Sequence, residues 1–174
     1  MDNVKIRPER YRVYYEYNKN MNITTIDHKL ISFFRKISSP LARFAIFVVF
    51  FWFGILKVID LSPAGPLVEA LFNQTISFMS FPSFYLSFGW FEVVIGILFL
   101  IPKATRIVIV LLLVHMILTI GPLVMLPEVT WTSWLVPTLE GQYIIKNLAI
   151  IAAAIGIAAH LTPMEEKPTA EKLS

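Results

Sequence analysis

Four ionisable side chains stand inside long apolar runs, where a charge is costly: Lys57, Glu92, His115 and Lys146. A carboxylate beside ammonium groups makes either a buried ion pair or a seat for a polar head group, and a carboxylate beside an imidazole makes a proton relay. Asn147, next to Lys146, adds an amide that both donates and accepts. Other chemistries find no support. His28, His115 and His160 include no pair at i, i+3 or i, i+4, so no metal site is expected. The chain has no cysteine, which removes disulfides, thiolate ligands and dithiol relays. No phosphate loop, dinucleotide fingerprint or nucleophile elbow occurs.

The neighbours of the four groups indicate which way they face. Gly89 and Gly96 flank Glu92 at i−3 and i+4, a pattern that lets a second helix approach closely on the face carrying the carboxylate. Phe50, Gly54 and Lys57 share a helix face in the same way, as do His115, Thr119 and Pro122, while Tyr143 and Asn147 flank Lys146. A charge near the bilayer centre costs at least about 2.5 to 3.5 kcal/mol, so Glu92 is expected to face the bundle and find Lys57 or Lys146. Each group also has a purely structural reading: the lysines reach for head groups, Glu92 clasps two helices, and His115 is a satisfied core residue.

The elements that must position these groups are membrane spans. Apolar residues make up 56% of the chain and charged residues 16%, with a mean hydropathy of +0.68. Four runs are long enough to cross a hydrocarbon core, which takes about 20 helical residues: about 41–59, 84–101, 104–126 and 143–161. Pro40 suits the start of the first. Only Pro102-Lys103 separates the second and third, which must be antiparallel neighbours. Residues 60–83 are too polar for a fifth span, and Leu67–Phe72 reads as a helical turn or two lying at the interface. Residues 26–39 read as an interfacial amphipathic helix, with Ile26, Leu30, Phe33, Phe34 and Ile37 on one face, and residues 1–25 and 163–174 as polar tails. The expected fold is an all-α, four-helix membrane bundle formed by residues 40–162.

Lysine and arginine set the orientation. Nine of the fifteen lie within residues 1–43, Lys103 and Arg106 flank the short turn, and Lys167 and Lys172 lie in the tail. The connections 60–83 and 126–142 carry none, and hold Asp60, Glu69, Glu128 and Glu140 instead. This asymmetry places both termini in the cytoplasm, with Trp131 and Trp134 in an outer aromatic belt. Residues 1–40 lack the pattern of a cleavable signal peptide. The pI near 9.2 follows from this placement, with the basic residues directed to anionic lipid rather than nucleic acid.

The combination of Gly54-Ile-Leu-Lys57, Gly89-Trp-Phe-Glu92-Val-Val-Ile-Gly96, Arg106 and Gly141-Gln-Tyr-Ile-Ile-Lys146-Asn147 resembles the DoxX-like membrane proteins, closest to the YkgB (RclC)-type branch, over about residues 25–161. The resemblance implies a four-helix bundle of the bacterial inner membrane, associated with quinol oxidation or oxidative stress. That branch commonly has an acid after the lysine of its fourth helix, where this chain has Asn147, and a longer polar insertion before its second helix.

Three functions are compatible with these residues. The first is a non-enzymatic accessory or stress-response protein whose Lys57, Glu92, His115, Lys146 and Asn147 form an outward-facing polar pocket, with Gly54, Gly89 and Gly96 packing the helices around it. The second is a small oligomeric transporter or channel with a proton path through Glu92 and His115. The third is a membrane redox subunit, against which stands the lack of paired axial histidines for haem. No resident cofactor is expected, a quinone being what the redox reading would bring. The expected partners are the lipid bilayer and either a second copy or a membrane redox protein.

Overall fold

The computed structural model describes residues 8–163. Among the described residues four helices are long and apolar enough to cross a membrane, at Ile23–Val58, Phe81–Phe99, Pro102–Met125 and Leu139–Ala158. The protein is an all-α, multi-pass membrane protein. Its surface supports this independently, since Trp52, Ile107, Ile117, Leu148 and Ile155 are each more than half exposed, a distribution suited to hydrocarbon rather than water.

Helix α1 (Pro8–Val58) is continuous through Pro40. The sequence divides this stretch into an interfacial helix at 26–39 and a span beginning at Pro40, whereas one helix covers both. Proline removes a single backbone donor, and the helix-forming residues on either side carry the turn across that gap. Residues 8–25, read as part of a polar tail, are also helical. Residues 1–7 and the C-terminal tail from 164 onward, with Lys167 and Lys172, lie outside the described residues. Tertiary contacts divide the chain into Met1–Leu41 and Ala42–Ser174. In the first unit the side chains of Ile26, Leu30, Phe33 and Phe34 are exposed.

The second unit holds the bundle. After α1 come α2 (Gly65–Thr75), α3 (Phe81–Phe99), a 3-10 turn at Pro102–Ala104, α4 (Thr105–Ile120), two single turns α5 (Pro122–Met125) and α6 (Pro127–Thr130), and α7 (Leu139–Ala158). Between α6 and α7, β1 (Trp131–Ser133) and β2 (Val136–Pro137) form a small antiparallel hairpin pairing Trp131 with Pro137 and Ser133 with Val136. The turn Pro102–Ala104 makes α3 and α4 adjacent, and α4 packs on α7. Helix α7 starts at Leu139, four residues before the apolar run, because Thr138 caps it by accepting from the Gly141 N–H. Helix α2 is longer than the turn or two read from sequence and packs on α3 and α5.

Glycine fixes how closely α1 and α3 approach. A Cβ on Gly54 would lie 2.8 Å from both the Gly89 carbonyl oxygen and the Val93 amide nitrogen, and one on Gly96 would lie 2.9 Å from the Phe51 amide nitrogen. Around this crossing, Ile46 and Phe50 of α1, Ile95 and Phe99 of α3, Val108, Leu112 and Met116 of α4, and Ala154 and Ile157 of α7 form the core. At the α3–α4 turn, Arg43 donates to the Phe99 carbonyl at 3.2 Å and to Thr105 Oγ1 at 2.7 Å, placing a cation on the last turn of α3 where carbonyls are otherwise unpaired.

Candidate functional site

The close α1–α3 approach brings the first pair of charges together. Gly89 lies one turn before Glu92, and a Cβ there would lie 2.9 Å from Lys57 Cβ, so the two helices touch where the long side chains begin. Lys57 Nζ donates to Glu92 Oε2 at 2.6 Å, and on the other side His115 Nε2 is 2.9 Å from Glu92 Oε1. All three residues are buried, Lys57 to 6%, Glu92 to 5% and His115 to 4% exposure. Three helices therefore each contribute one group to a single chain of hydrogen bonds centred on a carboxylate.

Hydrogen-bond roles follow from the inventory of donors. An ammonium only donates and an ionised carboxylate only accepts, so Lys57 donates a hydrogen bond to one Glu92 oxygen, and His115 donates to the other in the tautomer that carries its hydrogen on Nε2. With the imidazole neutral, one cation balances one anion, which satisfies the requirement that buried charges be paired. In that neutral tautomer His115 Nδ1 is an acceptor, and it is buried without a hydrogen-bond partner among the described residues. Phe88 stacks on one face of the imidazole at 5.1 Å and 4°, and Phe50 makes a T-shaped contact with it at 5.0 Å. Lys57 Nζ also lies 5.6 Å from the Phe88 ring centre.

The cluster forms part of the wall of a cavity of about 530 Å³. Its lining is mostly apolar and comes from α1, α3, α4 and α7, with α2 covering one side through Leu67, Val68, Leu71, Phe72 and Thr75. The size and the ratio of apolar wall to a few convergent polar groups are those of small-molecule sites. His115, Thr119 and Pro122 line it together, as their helical spacing implies, and Asn147 lines it from α7.

Lys146 is not brought to the cluster. Tyr143, Ile144, Asn147 and Ile150 face the cavity, and at about 100° per residue that leaves Lys146 on a neighbouring face, where it is exposed with Nζ 5.0 Å from the Tyr143 ring centre. Glu92 thus pairs with Lys57 and His115 rather than with two lysines. Gly54, Gly89 and Gly96 sit at the α1–α3 contact. His160 lies elsewhere, its Nδ1 2.8 Å from the Gly156 carbonyl oxygen.

Sequence reasoning missed three contributors. Glu140 lines the cavity, although in the sequence it is only one acid of a loop without lysine or arginine. Phe88 is one apolar residue among many until its stacking on His115 is seen. The alternation of Leu67, Val68, Leu71 and Phe72 signals an amphipathic helix, but not that its apolar face closes a cavity rather than resting on lipid. No protein-family model, no curated protein and no solved structure matches this chain.

Proposed function

We propose that this protein is a non-enzymatic membrane binding protein, which takes a small amphiphile from the bilayer into the cavity and holds its head group at the Lys57–Glu92–His115 cluster. The single observation that carries this reading is a buried, three-membered polar cluster in the wall of an otherwise apolar cavity of about 530 Å³. A helix clasp needs the ion pair but not the empty volume beside it; a ligand site needs both. The absence of lysine and arginine from residues 60–83 and 126–142 supports an orientation in which the cavity opens away from the cytoplasm of a bacterial inner membrane. The likeness to DoxX-like proteins supports an accessory role in redox stress, and a quinone-type ring with an apolar tail is the version of the ligand that this likeness implies. The apolar and aromatic lining suits such a tail and ring.

The test is to purify the protein in mild detergent, record an absorption spectrum, and analyse the organic extract by mass spectrometry. The expected result is one amphiphile near stoichiometry, lost in Leu71→Trp, which fills the cavity from α2 while leaving the charged cluster intact. Extracts showing only bulk lipid in both proteins overturn the reading. A proton path through Glu92 and His115 in an oligomeric transporter is favoured by one observation, their direct 2.9 Å contact. It requires proton flux in proteoliposomes containing a pH-sensitive dye.

A further inference from the structure

We infer that the ligand is an amphiphile with one long hydrocarbon tail, whose head is enclosed while the tail leaves sideways into the bilayer between Phe53 of α1 and Tyr143 of α7. This rests on the reading of the cavity as a binding site, and adds the route of entry and the class of tail. An exit is marked by residues that line the cavity and are also exposed. Phe53, 48% exposed, and Tyr143, 60% exposed, are such residues on two different spans. Phe53 lies five residues before the end of α1 and Tyr143 four after the start of α7, so both stand about 6 to 8 Å inside the helix ends. The 20 residues of α7 match the thickness of a hydrocarbon core, so an opening at that level faces acyl chains rather than water. Further along the same two helices the interior is closed: Ile46 of α1 and Ala154 and Ile157 of α7 are buried in the core they share with α3 and α4.

Chemistry separates this side opening from the one at the helix ends. There Pro63, Thr75 and Glu140 line the cavity and are exposed, so a tail leaving that way passes a carboxylate and enters water. Every methylene placed in water weakens binding about fourfold. On the side, Val49 and Ile150 continue the apolar lining next to Phe53 and Tyr143, and a tail passing them stays in hydrocarbon before and after binding. Its length then costs nothing. Full enclosure fails for a long chain on volume: at roughly 30 Å³ per water-sized group, a tail of about twenty carbons takes about 600 Å³. The cavity of about 530 Å³ must hold the head group as well.

The experiment uses the full chain in lipid nanodiscs and an equimolar mixture of 1,4-benzoquinones carrying butyl, decyl or eicosyl tails. Quinone captured with the protein in excess of that in empty nanodiscs is counted by mass spectrometry. The three are expected to be retained within about twofold of one another, because the part of a chain outside the cavity exchanges hydrocarbon for hydrocarbon. Retention of the butyl compound with loss of the eicosyl one by about tenfold or more overturns the side exit and leaves the binding reading standing. Retention of none removes the binding reading and the exit with it. The place of the exit is tested with Phe53→Cys, the chain otherwise lacking cysteine, modified by a bulky hydrophobic maleimide. The adduct is expected to lower eicosyl retention about tenfold and butyl retention by less than about twofold. The same adduct on Leu118→Cys, at an exposed lining residue of α4, is expected to change neither. Tyr143→Cys serves if the Phe53 variant does not fold. Loss of eicosyl retention from the Leu118 adduct alone overturns the placement between α1 and α7.

Discussion

Glu92 accepts from two directions, and its removal leaves two donors without a partner. Glu92→Gln keeps the volume but strands the Lys57 ammonium at 6% exposure, and breaking a buried pair from one side costs about 3 to 5 kcal/mol. The expected outcome is a marked fall in membrane abundance, read by quantitative blot. The double variant Glu92→Gln with Lys57→Met removes the stranded charge and should recover much of that abundance without recovering ligand binding. If abundance is unchanged in the single variant, the Lys57–Glu92 pair is not stabilising the bundle. Lys146 provides the contrast: it is exposed beside Tyr143, so Lys146→Met should alter abundance by less than the Glu92 variant and leave ligand extraction intact.

At the scale of the elements, the α1–α3 crossing decides whether the cluster assembles. Alanine at Gly54 would set its methyl group 2.8 Å from backbone atoms of α3, and backbone cannot yield as a flexible side chain does. Gly54→Ala should therefore destabilise by about 1 to 3 kcal/mol through overpacking, seen as a lower thermal midpoint in detergent, and should loosen the Lys57–Glu92 pair with it. Gly156 on α7 is the control, since a Cβ there meets nothing within 4 Å. Gly156→Ala should be neutral or stabilise by up to about 1 kcal/mol, because glycine in a helix interior carries an entropic cost that alanine lacks. A midpoint lowered equally by both substitutions would show that helix propensity, and not close approach, governs the response. At the start of α7, Thr138→Ala removes the cap on Gly141 and should cost about 1 kcal/mol.

For the whole molecule, the distribution of basic residues makes a prediction about orientation that is independent of the cavity. A reporter active only in the cytoplasm should work when fused at either terminus, and one active only outside should work at residues 64 or 131, the two connections without lysine or arginine. A cytoplasmic signal from residue 131 would reverse the orientation and place the mouth of the cavity on the inner side.

The spans were legible because hydrocarbon imposes a length and an apolar composition on any helix that crosses it, and both are written locally in the chain. The inward direction of Glu92 was legible for the same reason, since Gly89 and Gly96 mark the face on which a neighbour can come close. Helix ends were less so: Pro40 sits inside α1 and Thr138 starts α7 early, because a missing hydrogen bond or a cap shifts an end without changing the apolar run. What the chain alone left open was which ionisable residues meet. Lys57 and Lys146 look equivalent as lysines near span ends, and only the rotation of α7 against the bundle turns one away while the α1–α3 crossing seats the other. The placement of His115 beside Glu92, the buried Nδ1 and the α2 wall of the cavity depend on distances between segments far apart in sequence. Local pattern carries the face a residue occupies; tertiary packing sets the few ångströms that decide whether that face holds a partner, a cavity or lipid.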